Sequence, residues 1–241
     1  TGQVLYEMKG AGSVASLAAS ASGRRVVSTT ATPLIIGGGA KLTARVWDTD
    51  TGRQLAELEW RAATANSPPA TISADGTRIA TGSSDGITRV WDVRTSQVFA
   101  ELKGHVGSVR AVAISADGSR VVSGGEDGTA RVWAPHTGQA GPEIEGKPAG
   151  SMRRATSADG TRVLTTTADH RVVVRDTRTG LATAEFRGHT LRVQHVALSD
   201  DGSRAVTSSS DSTSWVWDAR TGRPLVELKG KTKGTRPVAI S

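Results

Sequence analysis

Two sets of side chains have the residue types of a hydrolytic site. His105, Ser123 and Asp127, followed by Trp133, are matched at the same spacing by His189, Thr207, Asp211 and Trp217. A histidine beside a hydroxyl and a carboxylate is the constellation of acyl transfer, in which the base takes the hydroxyl proton and the carboxylate orients the base. That chemistry also needs an exposed hydroxyl and an oxyanion hole. Incomplete copies occur as well: Thr81, Asp85 and Trp91 stand without a histidine, and Thr165 and Asp169 without a tryptophan. A set that recurs with members missing suits a hydrogen-bonding staple better than a catalytic unit, since a lost member would cost only ~1–3 kcal/mol. The expectation is therefore a structural relay, no catalytic residue and no enzyme.

The elements that carry these residues repeat. In Phe99–Gly138, four short apolar runs (Ala100–Lys103, Val109–Ser115, Arg120–Ser123 and Thr129–Trp133) alternate with the turn signals Gly104-His105, Asp117-Gly118 and Asp127-Gly128. Short runs rich in β-branched residues and bounded by Asp-Gly are strands joined by tight hairpins. The Asp-Gly of the second turn recurs at Asp75, Asp117, Asp159 and Asp201, a constant interval of 42 residues. The end of the third strand recurs at the same interval as Trp91, Trp133, Arg175 and Trp217, and the serine closing the preceding run as Ser73, Ser115, Ser157, Ser199 and Ser241.

A four-stranded repeat of this length, with Gly104-His105 and Trp133, Gly188-His189 and Trp217-Asp218, and the further pairs Trp47-Asp48 and Trp91-Asp92, resembles the WD40 family of β-propeller blades. The resemblance covers essentially the whole chain. It implies an all-β propeller domain over residues 1–241, with five complete four-stranded antiparallel blades and a split, partial sixth, from a parent ring of six or seven. In that family, the positions of His105, Ser123, Asp127 and Trp133, and of His189, Thr207, Asp211 and Trp217, form a buried hydrogen-bond relay.

Composition is compatible with one large β domain. The 28 glycines sit at fixed places in the repeat, which is turn chemistry, and the absence of cysteine excludes disulfides and thiolate metal sites. Five histidines with no second ligand type at metal spacing make no metal site, and no cofactor is expected. No apolar run is long enough to form a membrane-spanning helix. The 30 Lys+Arg against 23 Asp+Glu make the chain basic, but Arg25, Arg78, Arg120, Arg162 and Arg204 open the third run of successive units. One charge per blade reads as a solvated rim; nucleic-acid grooves cluster charge with aromatics. Nucleic acid is thus an unfavoured partner.

Along the chain, Thr1–Gly10 matches Thr95–Gly104, so the chain opens on an outermost strand. The first blade is expected to have strands near Ser13–Ser20, Arg25–Thr29, Leu42–Trp47 and Gln54–Glu59, with an insertion at 31–41, ATPLIIGGGAK. Leu34, Ile35 and Ile36 there form either a partner-contact loop or a loop folding its apolar residues onto the blade. Pro68 and Pro69 should delay the next innermost strand. The fourth blade, with Gly146-Lys147-Pro148 in place of Gly-His and with Arg175, should be the least tightly held. Residues 221–241 supply one outermost strand and one innermost strand, Arg236–Ile240. Ring completion then requires sequence beyond these residues, or another chain, or displacement of a strand at each end; a longer parent is the favoured expectation.

Outermost strands carry Glu7, Glu57, Glu101, Glu143, Glu185 and Glu227 alternating with Met8, Leu58, Leu102, Ile144, Phe186 and Leu228, apolar inward and charge outward. Residues outside the fixed pattern carry specificity. At the starts of the innermost strands and in the neighbouring loops these are Trp60, Arg61, Arg110, Met152, Arg153, Arg192, Gln194 and Arg236, a mixed basic and apolar set. The resemblance implies a non-catalytic scaffold or sensor that binds a protein or peptide on its loop face. An acidic or phosphorylated segment would suit the arginines, and no small-molecule substrate is expected. The alternative is an anion-binding module for nucleic acid or acidic membrane through basic rim residues. The expected location is intracellular and cytoplasmic.

Overall fold

The computed structural model describes residues 14–34, 38–64, 68–145, 154–157, 159–167, 169–199 and 201–229. These form five four-stranded antiparallel sheets, each strand pairing with its sequence neighbour. The first blade is β1 (Val14–Ala19), β2 (Arg25–Pro33), β3 (Ala40–Asp48) and β4 (Gln54–Ala62), and the second β5 (Ala70–Ile72), β6 (Arg78–Gly82), β7 (Ile87–Asp92) and β8 (Gln97–Lys103). The third is β9 (Val109–Ile114), β10 (Val121–Gly125), β11 (Thr129–Ala134) and β12 (Gln139–Glu145), and the fourth β13 (Arg154–Thr156), β14 (Arg162–Thr166), β15 (Val172–Asp176) and β16 (Ala182–Phe186). The fifth is β17 (Val193–Leu198), β18 (Arg204–Ser209), β19 (Thr213–Asp218) and β20 (Pro224–Lys229). The described residues contain no helix, and their five sheets do not close into a ring.

Turn residues explain why the strands stop where they do. At the first hairpin of the third blade, the Ser115 hydroxyl donates to Asp117 at 2.7 Å and accepts the Arg120 N–H at 2.9 Å. Gly118 completes this turn with φ 70°, a conformation that only glycine adopts without cost. Ser73, Ser157 and Ser199 make the same pair of bonds in their own turns. Asp48, Asp92, Asp176 and Asp218 each accept two backbone N–H groups of the turn that follows, which is Asx-turn chemistry.

The core lies between blades. Ala80, Val90 and Leu102 of the second blade pack with Ile114, Val121 and Trp133 of the third, with Val112 partly buried beside them. Leu164, Val174 and Phe186 of the fourth blade pack with Leu198, Ala205 and Trp217 of the fifth, and Phe186 stacks on Trp217 at 5.1 Å. Each fully buried side chain of this kind stabilises the fold by about 1.5–3 kcal/mol, so packing between blades contributes to the stability of both.

Several expectations change. The insertion is not a detached loop: Ala31, Thr32 and Pro33 pair with Leu42, Lys41 and Ala40, so the hairpin of β2 and β3 is simply longer than its counterparts. β4 lengthens with it, pairing Trp60 with Leu42, which leaves Trp60 7% exposed and packed on Trp91 at 5.6 Å. Trp60 is thus part of the core, and its surface is not available to a partner. β5 has only three residues after Pro68 and Pro69, the late start foreseen from the missing donors. Leu58, Leu102 and Phe186 face inward as expected, but Leu228 is 52% exposed because no described blade packs against it. The expected strands at Thr1–Gly10 and Arg236–Ile240, with Glu7 and Met8, and the segment Gly146-Lys147-Pro148 lie outside the described residues, as do the side chains of Glu143 and Ile144.

Candidate functional site

The first hydroxyl set is assembled by three elements of the third blade. β10 places Ser123 under the tryptophan of β11, while the loop between β8 and β9 brings His105 over both. The Trp133 indole N–H donates to Ser123 Oγ at 2.8 Å, Ser123 Oγ lies 2.7 Å from His105 Nε2, and His105 Nδ1 lies 2.9 Å from Asp127 Oδ2. Asp127, in the turn between β10 and β11, also accepts the backbone N–H groups of Val106 and Thr129, each at 2.9 Å. Burial pushes its carboxyl up, but these N–H groups, His105 and the Thr129 hydroxyl outweigh it and hold the group down at about 2. An ionised Asp127 accepts a hydrogen bond from the imidazole Nδ1–H, leaving Nε2 to accept from the Ser123 hydroxyl. Every member is then satisfied in one direction.

The fifth blade repeats the arrangement. Trp217 donates to Thr207 at 2.8 Å, Thr207 lies 2.7 Å from His189 Nε2, and His189 Nδ1 lies 3.0 Å from Asp211. Burial again raises the Asp211 carboxyl, and the Thr213 hydroxyl, two backbone N–H groups and His189 draw it well below the usual range. The incomplete blades keep only part of this. Trp47 donates to Ser28 and Trp91 to Thr81, both at 2.9 Å. In the fourth blade, Asp169 pairs with Arg171, and Arg175 in the tryptophan position donates to the Gly180 carbonyl oxygen at 3.1 Å.

Ser123 and Thr207 are fully buried, and the two histidine rings are closed off from solvent. A nucleophile in that position cannot meet a substrate. What the relay does mechanically is tie the loop before an innermost strand to the turn between the two middle strands. Both ends of the tie lie on one face, and the loops held there present Val106 at 79% and Leu191 at 49% exposure. Sequence reading missed both, because they stand beside the repeat's histidines at positions that differ from one blade to the next.

The other candidates on this face fall into three groups. Arg110, exposed, donates through Nε to Glu126 Oε1 at 2.8 Å, and Gln194 donates to Ser210 at 2.9 Å; these are equivalent contacts between the start of an innermost strand and the middle turn. Arg61 and Arg192 are exposed, and the Arg192 carbonyl oxygen accepts the Ser210 N–H at 2.9 Å. Leu34 is half-buried, its N–H bonded to the Gly39 carbonyl oxygen at 3.0 Å. Ile35, Ile36, Met152, Arg153 and Arg236 lie outside the described residues.

The rim arginines correct the expectation of a solvated ring. Arg25 Nη1 donates to the Gly76 carbonyl oxygen of the next blade at 2.6 Å, and Arg162 Nη1 to that of Gly202 at 2.8 Å. Arg78 pairs with Asp92 and stacks on Phe99, its Cζ 4.2 Å from the ring centroid. Arg25, Arg78 and Arg162 are committed to contacts within and between blades, on the face opposite the relay loops, and so lend the anion-binding alternative no support. Further arginines, two residues before the tryptophans, brace the outer edges: Arg45 pairs with Glu57 at 3.2 Å and Arg89 with Glu101 at 3.1 Å.

Residues 70–92, 96–134 and 180–218 match the family model of the WD domain, G-beta repeat. The chain carries WD40 repeats. Each WD40 match ends at the third strand of a blade, and the two longer ones begin at the outermost strand of the blade before it, so the sequence repeat is offset by one strand from the structural blade. Those two longer matches are the ones that contain the histidines of the complete relays.

Similar proteins include three named Mitochondrial division protein 1: from Sclerotinia sclerotiorum, 34% identical over 98 residues, from Neurospora crassa, 32% over 96, and from Chaetomium globosum, 31% over 98. The similarity covers about a third of this chain and 15% of each relative.

Proposed function

We propose that these WD40 repeats form a non-catalytic interaction module that binds a protein or peptide segment on the face carrying the relay loops. The observation that carries this reading is the exposure of Val106 and Leu191 on loops whose backbones are fixed by Asp127 and Asp211. An apolar side chain on a pre-ordered loop loses little entropy on binding, which is where recognition surfaces gain affinity. Arg110 and Arg192 lie on the same blades, and Arg61 near the end of β4 in the first, so an acidic or phosphorylated segment is the favoured ligand, its charge competing with Glu126 for Arg110. The buried hydroxyls support the non-catalytic part of the reading. The proposed setting is intracellular, in keeping with the name of the partial relatives, Mitochondrial division protein 1.

The test is an array of acidic and phosphorylated peptides probed with the wild-type chain and with a Val106→Asp/Leu191→Asp double variant. Capture that is lost in the double variant, with folding unchanged by circular dichroism, supports the module. Capture indifferent to both substitutions, or ester hydrolysis abolished by Ser123→Ala, overturns it.

A further inference from the structure

Where an innermost strand begins, one side chain reaches across to the turn between the two middle strands. In the third blade it is Arg110, whose Nε donates to Glu126 Oε1 at 2.8 Å with Nη2 bonded to the same oxygen; in the fifth it is Gln194, which donates to Ser210 at 2.9 Å. In the second blade, the repeat interval puts Pro68 and Ser84 at these two places. A proline ring has no donor and cannot span the gap, so Ser84 is left without the arm that covers its counterparts. Beside it lies a recess between the second and third blades, lined in part by Pro68, Pro69, Ser83, Ser84, Ser108 and Arg110.

The hydrogen-bond donors around this recess are largely unspent. The Ser84 hydroxyl accepts the Thr64 N–H at 3.2 Å, which leaves it its own proton to give. Ser108 is held by its backbone, its N–H on Glu126 Oε2 at 3.2 Å and its carbonyl oxygen accepting the Glu126 N–H at 2.9 Å; among the described residues its hydroxyl makes no hydrogen bond. Ser83 is 3% exposed and its hydroxyl is buried without a partner, whereas Ser209, at the same place in the fifth blade, donates to the Leu191 carbonyl oxygen at 2.7 Å. Glu126 takes the Nε side of Arg110 and leaves the Nη1 protons unbonded among the described residues. The recess is shallow and opens to solvent. Its enclosed part has room for about one water molecule, so a single oxygen of a ligand can enter while the rest of its group stays at the mouth.

We propose that this recess is the phosphate subsite of the binding face and takes the phosphate monoester of a phosphorylated serine or threonine in a peptide segment; the inference rests on the reading of that face as a peptide-binding surface. A phosphate offers three acceptor oxygens, one each for Arg110 and the hydroxyls of Ser84 and Ser108, where a carboxylate has only two. Glu126 orients the guanidinium and repels the incoming charge, so it lowers affinity without supplying a contact to the ligand. The source is a peptide rather than free phosphate because Val106, 79% exposed, stands two residues before Ser108, at most about 7 Å of chain away. A segment whose phosphate fills the recess lays a neighbouring side chain on Val106.

The probes are degenerate peptide libraries with phosphoserine, aspartate or serine fixed at the centre, and inorganic phosphate as a competitor, with the folding of each variant checked by its melting temperature. The wild type should bind the phosphoserine library about tenfold more tightly than the aspartate library and select an apolar residue beside the phosphoserine. Arg110→Met and the double variant Ser84→Ala/Ser108→Ala should each remove that preference, a loss of about tenfold in phosphoserine affinity. Glu126→Gln should raise phosphoserine affinity up to about fivefold, a gain that misfolding cannot imitate. Equal binding of the phosphoserine and aspartate libraries, or a preference that survives in Arg110→Met, overturns the subsite while leaving the peptide-binding face in place. Inorganic phosphate that binds as tightly as the phosphoserine library overturns the peptide source. Binding of no library at all overturns the reading of the face itself, and the subsite with it.

Discussion

The indole N–H of Trp133 donates to the hydroxyl of Ser123 at 2.8 Å, and that bond sets the direction of the whole relay. With one lone pair occupied, the Ser123 hydroxyl donates a hydrogen bond to His105 Nε2, and the imidazole Nδ1–H donates to Asp127. The serine is fully buried, so no substrate reaches its hydroxyl.

Replacing Ser123 with alanine leaves the Trp133 N–H and His105 Nε2 buried without a partner. Stability should fall by about 2 kcal/mol, the usual cost of stranding a buried polar group. Urea denaturation should show a lower midpoint with an unchanged slope. Ser123→Thr should restore most of the loss, because Thr207 serves in the same position of the fifth blade.

Acid should unfold the protein through these carboxylates. Asp127 and Asp201 are held at about 2 in the folded chain, and Asp211 also lies below the usual range, against about 4 in an unfolded chain. A lowered folded value contributes stability that is present above the unfolded value and lost as the pH falls through the folded one. The melting temperature should therefore drop from about pH 5 toward about pH 2, and Asp127→Asn should flatten that fall while lowering stability at neutral pH.

Trp60→Ala should cost about 3–5 kcal/mol, since it removes a large side chain packed on Trp91. Thermal denaturation distinguishes this from a surface role, for which the melting temperature would stay the same.

Arg162→Met and Arg204→Met are chemically identical changes with different outcomes. The first removes a bond to Gly202 and should destabilise by about 1–2 kcal/mol, while the second, at an exposed arginine, should stay within about 0.5 kcal/mol. Paired urea curves check the difference.

The blades were legible in the sequence because their turns are chemically explicit: Ser115, Asp117 and Gly118 each have a specific task, and the same tasks recur at a fixed interval. The relay was legible for the same reason. What was hidden depends on contacts between units. Arg25 and Arg162 look like rim charges along the chain, and only the stacking of blades shows that each reaches its successor. Trp60 looked like a loop residue because nothing local says that β2, β3 and β4 all lengthen together around the insertion. Val106 and Leu191 carry no pattern at all; their exposure follows from how the neighbouring aspartates hold the loops.

Binding at the proposed face of relay loops is read by hydrogen exchange of the chain with and without the tightest-binding acidic peptide. Protection confined to residues 105–110 and 189–194 is the predicted result. Protection instead at the opposite turns around Asp117 and Asp201, or along the outermost strands, would contradict it.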